Sequence, residues 1–478
     1  MNEKISTDKK NSIGTKFYPV YHAAPPVGWM NDPNGFCFYN GEYHLFYQHH
    51  PYSAEWGPMH WGHMTSKNLF EWKHLPIAIA PDRFYDKDGC FSGSAIEKDG
   101  QLYLMYTGHV IPNVFKQKLH LQTQCIARSA DGINFEKFSG NPVIGNPGDH
   151  RASKYDFRDP KVWKHDGKFY AVVGSKTEED DVGQIILFES EDLEHWNFKS
   201  IAARATENLG YMWECPNFAT IDGKEVLIFS PQGIKQEGIV YQNVYQSGYM
   251  IGNLNYETGI FTHEDFHLLD YGSDFYAPQI TETPDGRTIL IGWLDMWYEK
   301  MPEQEDDWAG MMTVPRELRL KDGKIFSVPA KELEGLRKEK ISYEKLSLTE
   351  PTKLEKISGD IGELIVDVDT GKTPAFGIEL RVGEKEKTII EYTEAEKLLI
   401  LNRKRSGKGP GDTREVELNP GKKLTLRIYL DKSSVEIFIN DGEAVMSSRI
   451  YPDESSRDII FVPWGNSFEI NSVTFYKF

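Results

Sequence analysis

The chain has little cysteine, and its cysteines follow no pairing pattern. Four occur in 478 residues, at Cys37, Cys90, Cys125 and Cys215, widely spaced and without a C-x-x-C. Neither a disulfide framework nor a cysteine-based zinc site is therefore expected, and a reducing compartment fits best.

Long apolar stretches are also missing. No run approaches the ~20 residues that a membrane-spanning helix needs. The N-terminal segment 1–17 is polar and lacks the apolar region of a secretory signal. We therefore expect a cytoplasmic protein without a membrane partner.

Positive charge is in deficit, with a formal net charge of −18. This balance argues against nucleic acid as a partner. A hydrophobic fraction of 39% and a charged fraction of 26% are those of a globular protein, and the length predicts two domains. What the chain has in excess is aromatic residues, at 13%. Aromatic side chains favour strands and form stacking surfaces for sugars and other flat ligands.

One hairpin pattern recurs five times: an alternating strand, an Asn-Gly or Asp-Gly turn, and a strongly apolar strand. The turns begin 56 to 67 residues apart, at Asn40, Asp99, Asp166, Asp222 and Asp285. Each hairpin is followed by a second strand pair. Five repeats of four strands predict a five-bladed β-propeller over residues 17–330. A string of β-sandwiches is the alternative, and the near-constant spacing weighs against it.

The pattern changes near residue 340. Short alternating strands continue without the 60-residue period, and they predict an antiparallel β-sandwich over residues 351–478. The charged segment 331–350, with room for one helical turn, is the expected linker. The predicted fold is therefore all-β, a five-bladed β-propeller followed by a C-terminal antiparallel β-sandwich.

Three acidic residues fall at similar places in three repeats. Asp32 lies eight residues before its turn, Asp159 seven and Glu214 eight, and proline follows each within two residues. Taken alone, the stretch GWMNDPNGF at 28–36 also suits a simple turn. In a propeller, however, the first strand of each blade borders the central channel, so the three carboxylates should meet at one mouth of it. Gathered carboxylates repel one another, which favours a functional site.

Such acids in an aromatic-rich cleft suit two kinds of site. A glycosidase needs two carboxyl groups, whereas a calcium site needs several oxygen ligands. There is no D-x-D-x-D loop near the acids, but four tryptophans accompany them in sequence: Trp29, Trp56, Trp61 and Trp213. These features favour the glycosidase. Trp213 and Cys215 flank Glu214, an apolar setting expected to keep it protonated. The histidines of segment 44–63 lack an HExxH frame, so neither a metal nor a cofactor is expected.

Three motifs in the same order resemble those of glycoside hydrolase family 32, the β-fructofuranosidases. They are WMNDPNG (29–35), RDP (158–160) and EC (214–215). FSGS (91–94), FYAPQ (275–279) and MMTVPREL (311–318) are also similar to motifs of that family. The resemblance extends over about the whole chain and implies a propeller followed by a sandwich.

The resemblance also implies roles for the three acids. Asp32 would be the nucleophile, Glu214 the general acid/base, and Asp159 a transition-state stabiliser kept ionised beside Arg158. The implied reaction retains configuration, which predicts a separation of about 5–5.5 Å between the carboxyl groups of Asp32 and Glu214. The residues implied to bind the sugar are Asn31, Gln48, Trp56, Phe91, Ser92, Arg158 and Trp293. Gln48 and Trp293 lie at strand ends, where they could be ordinary strand residues.

Within the family, YMWECPNF (211–218) and SPQG (230–233) are most similar to the branch that cleaves sucrose or sucrose 6-phosphate. A phosphate needs a cationic or N–H cradle, for which the candidates are Lys116, Lys118, His120 and Arg151. A fructan exo-hydrolase or a fructosyltransferase is the alternative enzyme, and a non-catalytic sugar-binding propeller is the alternative of another class. The expected partner is a small sugar, with the chain a monomer or homodimer.

Overall fold

The computed structural model describes residues 16–112, 121–206 and 208–478. Within these ranges the chain is mostly β-strand, with three short 3₁₀ helices at Pro302–Asp306, Lys331–Leu336 and Asn440–Gly442. None of the helices in the described ranges is long and apolar enough to cross a membrane. The strands form seven sheets, of which the first five follow one another along the chain. The protein is therefore all-β, as the sequence predicts.

Each of the first five sheets is built around four strands that follow one another in the chain. The first sheet contains β1 (Gly28–Tyr39), β2 (Glu42–His50), β3 (His60–Ser66) and β4 (Lys73–Ile79). The second contains β5 (Gly89–Lys98), β6 (Gln101–Val110), β7 (Leu121–Ser129) and β8 (Glu136–Lys137). The third contains β9 (Ala152–His165), β10 (Lys168–Thr177), β11 (Gly183–Ser190) and β12 (Asn197–Arg204).

The fourth sheet has a short fifth strand, and a short strand within the fifth repeat pairs with the first sheet. The fourth contains β13 (Met212–Ile221), β14 (Lys224–Gln232), β15 (Gly248–Asn255), β16 (Ile260–His263) and β17 (His267–Leu268), which also pairs with β15. The fifth contains β18 (Tyr276–Glu282), β19 (Thr288–Trp293), β21 (Arg316–Lys321) and β22 (Lys324–Pro329). Between β19 and β21, the short β20 (Trp308–Ala309) leaves this sheet and pairs in parallel with β1. The last repeat is thereby joined to the first by backbone hydrogen bonding.

Four of the predicted hairpin turns have the two-residue geometry that their sequences indicate. In each, both central residues have positive φ, as at Asn40 (+49°) and Gly41 (+84°), which a type I′ turn requires. The fifth turn differs, because Pro284 precedes its Asp-Gly pair. Proline has no N–H for the hydrogen bond that closes a two-residue turn. The hairpin closes one residue earlier, where Thr283 N donates to the Arg287 carbonyl at 2.8 Å.

The five sheets pack side by side through their first two strands. β1 packs against β5, β5 against β9, β9 against β13, β13 against β18, and β18 against β1. An apolar core lies between each neighbouring pair of sheets, including the fifth and the first. The second strands are buried on both faces by this packing, which explains their continuous apolar runs.

The remaining strands form two antiparallel sheets around one shared core. The six-stranded sheet has the order β23 (Lys340–Leu348), β33 (Phe468–Lys477), β24 (Gly362–Val368), β29 (Leu424–Asp431), β30 (Ser434–Ile439) and β31 (Ala444–Arg449). The five-stranded sheet has the order β28 (Thr413–Glu417), β27 (Leu398–Arg405), β26 (Lys387–Thr393), β25 (Ala375–Val382) and β32 (Asp458–Pro463). Two such sheets are typical of a β-sandwich. Part of segment 331–350, expected to be a linker, is the edge strand β23.

A buried ionic network joins the two halves of the chain. Arg316 donates to Asp270 at 2.8 Å and to Glu436 of β30 at 2.7 Å, and the three side chains are fully buried. His22, from the segment before β1, lies 2.8 Å from Asp431 and 3.0 Å from Glu436. Burial disfavours the charged imidazole, but the hydrogen bonds to the two carboxylates outweigh it and raise the pKa of His22 to about 9. The C-terminal sheets are therefore held against the N-terminal sheets by charge pairs shielded from water.

Candidate active site

Every first strand of the five N-terminal sheets carries a β-bulge. The register shifts lie between Met30 and Pro33, Phe91 and Gly93, Arg158 and Lys161, Glu214 and Asn217, and Tyr276 and Gln279. A bulge leaves one residue unpaired and re-aims the neighbouring side chains. Asp32 and Asp159 lie within their bulges, and Glu214 borders its own. The acids therefore sit at bulges inside their strands.

The repeat position of Glu214 differs by one residue from the prediction. Asp159 (φ +64°), Cys215 (φ +47°) and Ala277 (φ +48°) share a left-handed backbone, and proline follows each of them directly. Cys215 is therefore the counterpart of Asp159, whereas Glu214 matches Arg158, the residue before the bulge. The directly following proline marks the equivalent residue better than distance from the turn, because it lies inside the bulge itself.

Asp32 is buried and held through both carboxyl oxygens. Ser92 Oγ donates to Oδ2 at 2.6 Å and Asn31 Nδ2 to Oδ1 at 3.0 Å. Asn31 is fixed in turn by Trp29 Nε1, which donates to its Oδ1 at 2.7 Å. Burial raises the pKa of Asp32 and the charge of Glu214 raises it further, whereas the hydrogen bonds from Ser92 and Asn31 oppose the shift. These donors stabilise the ionised form that a nucleophile needs.

Cys215 connects Asp32 with Asp159. Its backbone N–H donates to Asp159 Oδ2 at 3.0 Å, and its thiol lies 3.4 Å from Asp32 Oδ2 and 3.6 Å from Asp159 Oδ2. Burial raises the pKa of Asp159 to about 7, against the attraction of Arg158 and with repulsion from Glu214 and Asp32. Burial thus works against the expectation that Asp159 stays fully ionised, and Arg158 makes its hydrogen bonds to Glu214 and Asp156 instead.

Glu214 accepts hydrogen bonds from three side chains. Arg158 donates to Oε1 through Nε at 3.0 Å and Nη2 at 2.8 Å. Tyr276 OH and Gln232 Nε2 donate to Oε2 at 2.6 and 2.7 Å. The expected apolar setting is thus not what the carboxyl group meets. Trp213, its neighbour in sequence, is fully buried and packs 4.2 Å from the ring of Phe229, because neighbouring residues of a strand face opposite sides.

Some of the residues predicted to bind sugar lie at the surface near the acids, and others are buried behind them. Trp56 is 49% exposed and meets the ring of Phe91 edge-on at 6.2 Å. Gln48 is buried, and its amide donates to the Cys90 carbonyl at 2.9 Å. Trp293 is fully buried and packs 6.0 Å from the ring of Trp29. The structure therefore does not bring Trp293 to the surface of the site.

The predicted phosphate cradle receives no support from the one candidate that is described. Arg151 donates to Asp149 through Nε and Nη2, at 3.0 and 2.6 Å. Lys116, Lys118 and His120 lie outside the described residues. In the described ranges, no group of three or more histidine, cysteine or acidic residues could hold a metal ion.

Sequence reasoning assigned no role to two residues that contact Glu214. Tyr276 belongs to FYAPQ and Gln232 to SPQG, both of which are similar to family motifs. That similarity was the available signal. Their contacts with Glu214 could not be inferred from spacing, because they depend on where β14 ends and where β18 begins relative to β13. The arrangement as a whole gathers three carboxyl groups, each held by hydrogen bonds, beside exposed aromatic side chains.

Comparisons with known proteins give a consistent result. Residues 22–329 match the family model described as glycosyl hydrolases family 32 N-terminal domain, and residues 332–477 match the family 32 C-terminal model. A raffinose invertase of Escherichia coli is 41% identical, over 96% of this chain and 93% of its own length. A sucrose-6-phosphate hydrolase of E. coli is 42% identical, over 93% of this chain and 92% of its own length.

Solved structures of related enzymes are similar to this chain over almost its whole length. A mutant family 32 β-fructofuranosidase of Bombyx mori in complex with sucrose is 39% identical, with a TM-score of 0.87 over 97% of this chain and 95% of that one. A sucrose-6-phosphate hydrolase of Lactobacillus gasseri is 31% identical, with a TM-score of 0.89 over 98% of this chain and 95% of that one.

Proposed function

Because this chain belongs to glycosyl hydrolase family 32, we infer that it is a retaining β-fructofuranosidase that releases fructose from sucrose or sucrose 6-phosphate. The observation that carries the inference is the meeting of Asp32, Asp159 and Glu214 around Cys215. Three buried or half-buried carboxyl groups repel one another and lower the stability of the fold. Such a destabilising cluster is characteristic of a functional site. The relatives named sucrose-6-phosphate hydrolase and raffinose invertase support this choice of substrate.

In the first step we assign Asp32 as nucleophile and Glu214 as acid. A carboxylate oxygen of Asp32 forms a bond to the anomeric C2 of the fructosyl unit. The bond from C2 to the glycosidic oxygen breaks, and Glu214 gives its proton to that oxygen. The hydrogen bonds from Ser92 and Asn31 favour the ionised form of Asp32, and they fix the orientation of its carboxyl group. We expect the two carboxyl groups to lie about 5–5.5 Å apart, as retention requires.

In the second step Glu214 acts as base. It takes a proton from water, the water oxygen forms a bond to C2, and the bond to Asp32 breaks. Arg158, Gln232 and Tyr276 hold both oxygens of Glu214 in place through the two steps. We assign Asp159 to the fructose hydroxyls, whose hydrogen bonds strengthen as positive charge develops on the ring.

We propose that the five N-terminal sheets are the blades of a five-bladed β-propeller with the site at one mouth of its channel. The contacts between successive first strands, the five cores between neighbouring sheets and the return of β20 to β1 support a closed ring. On this proposal, residues 17–330 are the catalytic domain, and the two C-terminal sheets are a domain that buttresses it. If sucrose 6-phosphate is the substrate, the enzyme acts in the cytoplasm.

A glucose-release assay with purified protein tests this function. We expect the wild type to hydrolyse sucrose or its 6-phosphate, and Asp32→Ala and Glu214→Ala to lose at least about 10³-fold in kcat. Comparing kcat/KM for sucrose, sucrose 6-phosphate, raffinose and inulin ranks the substrates. The inference fails if the wild type leaves both sucrose and its 6-phosphate intact, or if Asp32→Ala remains fully active.

A further inference from the structure

Three tyrosines adjoin the carboxyl group of Glu214, and we call Tyr211, Tyr245 and Tyr298 the tyrosine cluster. The ring of Tyr245 lies 5.9 Å from that of Tyr276, whose hydroxyl donates to Glu214 Oε2. Tyr245 also forms a backbone bridge with Gln232, whose side chain donates to the same oxygen. Two separate connections therefore lead from the acid/base candidate to this cluster.

The hydroxyl groups of the cluster converge on Tyr245. Tyr245 OH lies 3.5 Å from Tyr298 OH. Burial raises the pKa of Tyr245, and hydrogen bonds with Tyr298 and Tyr211 raise it further. The rings become more exposed away from Glu214, since Tyr245 is half-buried and Tyr298 is 83% exposed. The cluster is thus an aromatic surface that extends from the acid to solvent.

Two residues at the cluster, Tyr298 and Gly233, have a positive φ. Tyr298 has φ +68° and is the third residue of a turn in which Glu299 N donates to the Met296 carbonyl. Glycine or asparagine usually occupies this turn position, because it requires a positive φ. Gly233 has φ +85°, and a Cβ on it would lie 2.4 Å from the ring of Tyr211. The turn at Tyr298 holds its exposed side chain beside Tyr245.

We propose that the tyrosine cluster is the platform for the leaving group and determines specificity for β-fructofuranosides with pyranosyl leaving groups. The proposal rests on the proposed function. Because Glu214 protonates the glycosidic oxygen, the departing sugar must lie on the Glu214 side of the scissile bond. The tyrosine cluster lies on this same side of Glu214 and extends from it to the protein surface. Flat rings stack on the apolar face of a pyranose, and the convergent hydroxyls suit its hydroxyl groups.

Two substrates with the same fructosyl unit distinguish binding of the leaving group from a general effect on catalysis. Sucrose has a glucosyl leaving group that reaches the platform, whereas methyl β-D-fructofuranoside has only a methyl group. We expect Tyr298→Ala to lower kcat/KM for sucrose about fivefold to tenfold, mainly through KM, and to leave the methyl fructoside unchanged. Tyr298→Phe, which keeps the ring, should restore most of the loss. The inhibition constant for glucose should rise in Tyr298→Ala, and that for fructose should not.

The control variant is Trp464→Ala, which removes a 47% exposed aromatic ring from the C-terminal sheets. It should change neither substrate. Equal losses on both substrates in Tyr298→Ala, or no loss on either, would overturn the platform. A wild type that cleaves neither substrate refutes the proposed function instead, and the platform with it. Thermal unfolding of each variant establishes that the fold is intact.

Discussion

Two nitrogens of Arg158, Nε and Nη2, donate to the same oxygen of Glu214, at 3.0 and 2.8 Å. Arg158 is itself anchored, since Nη1 donates to Asp156 Oδ1 at 2.9 Å. The guanidinium group therefore fixes the orientation of the proposed acid rather than the ionisation of Asp159 beside it in sequence. Glu214 is in this way held to the third sheet although it lies on the fourth.

This pair predicts the effect of a conservative substitution. Arg158→Lys keeps the charge but cannot offer two N–H groups in a rigid fork. We expect kcat for sucrose to fall about tenfold to a hundredfold, as when a group that orients a site residue is lost. The matched control is Arg151→Lys, because the Arg151 side chain is 62% exposed and pairs only with Asp149 among the described residues, and it should retain wild-type kcat for sucrose. Full activity of Arg158→Lys would show that Glu214 needs no such support.

The sequence contains most of what determines the strands and turns. Asn40-Gly41 and its counterparts specify left-handed turn residues, which few other residue types tolerate, so the hairpins are visible in the sequence. The exception at Pro284 is local too, and the missing N–H could have predicted it. Repeat positions and following prolines also bring the three acids together in the sequence argument, although the structure places Cys215, and not Glu214, at the position that corresponds to Asp159.

Contacts between distant segments could not be predicted. The partners of Glu214 lie on β9, β14 and β18, and the carboxylates around His22 lie more than 400 residues away. Such contacts depend on how sheets pack, and local propensity carries no information on that packing. The same limit explains Trp293, whose sequence position suits the site although the ring is buried behind Trp29.

The raised pKa of Asp159 leads us to expect that Asp159→Asn stabilises the protein at alkaline pH and lowers its activity. Its pKa is raised from 3.8 to about 7 by burial, so the native state binds a proton that the unfolded state releases between these pH values. Its contribution to the free energy of unfolding therefore falls as pH rises from about 4 to about 7. Asp159→Asn should thus be more stable than wild type at pH 8 and similar near pH 4. Its kcat should fall about a hundredfold or more.

Chemical denaturation at both pH values measures this difference. Asp166→Asn is the control, because Asp166 is an exposed turn residue with φ +45°, and asparagine suits that turn equally well. It should leave stability and activity unchanged. An Asp159→Asn variant that is less stable than wild type at pH 8 would contradict the buried-charge argument.

The roles proposed for Asp32 and Glu214 can be separated with an activated substrate. An aryl β-fructofuranoside with an acidic phenol as leaving group needs no protonation, so Glu214→Ala should still form the fructosyl-enzyme from it. Hydrolysis of that intermediate lacks its base, and azide, which needs none, should accelerate turnover and give a fructosyl azide of retained configuration. In Asp32→Ala, azide would have to attack C2 directly and invert it. The configuration of the azide product, determined by NMR, decides the assignment, and an inverted product from Glu214→Ala would reverse it.

His22 predicts a loss of stability in mildly alkaline solution. Its pKa is raised from 6.5 to about 9 because Asp431 and Glu436 favour the imidazolium despite burial. The stabilisation is complete below pH 6.5 and disappears as pH rises through 9, a change of about 3 kcal/mol. His22→Gln should unfold more readily than wild type at pH 6 and should lack this part of the pH dependence. His195→Gln is the control, because His195 pairs with Asp192 at an exposed site, where ion pairs add little. Equal slopes between pH 6.5 and 9 for wild type and His22→Gln would mean that His22 does not hold the two halves of the chain together by its charge.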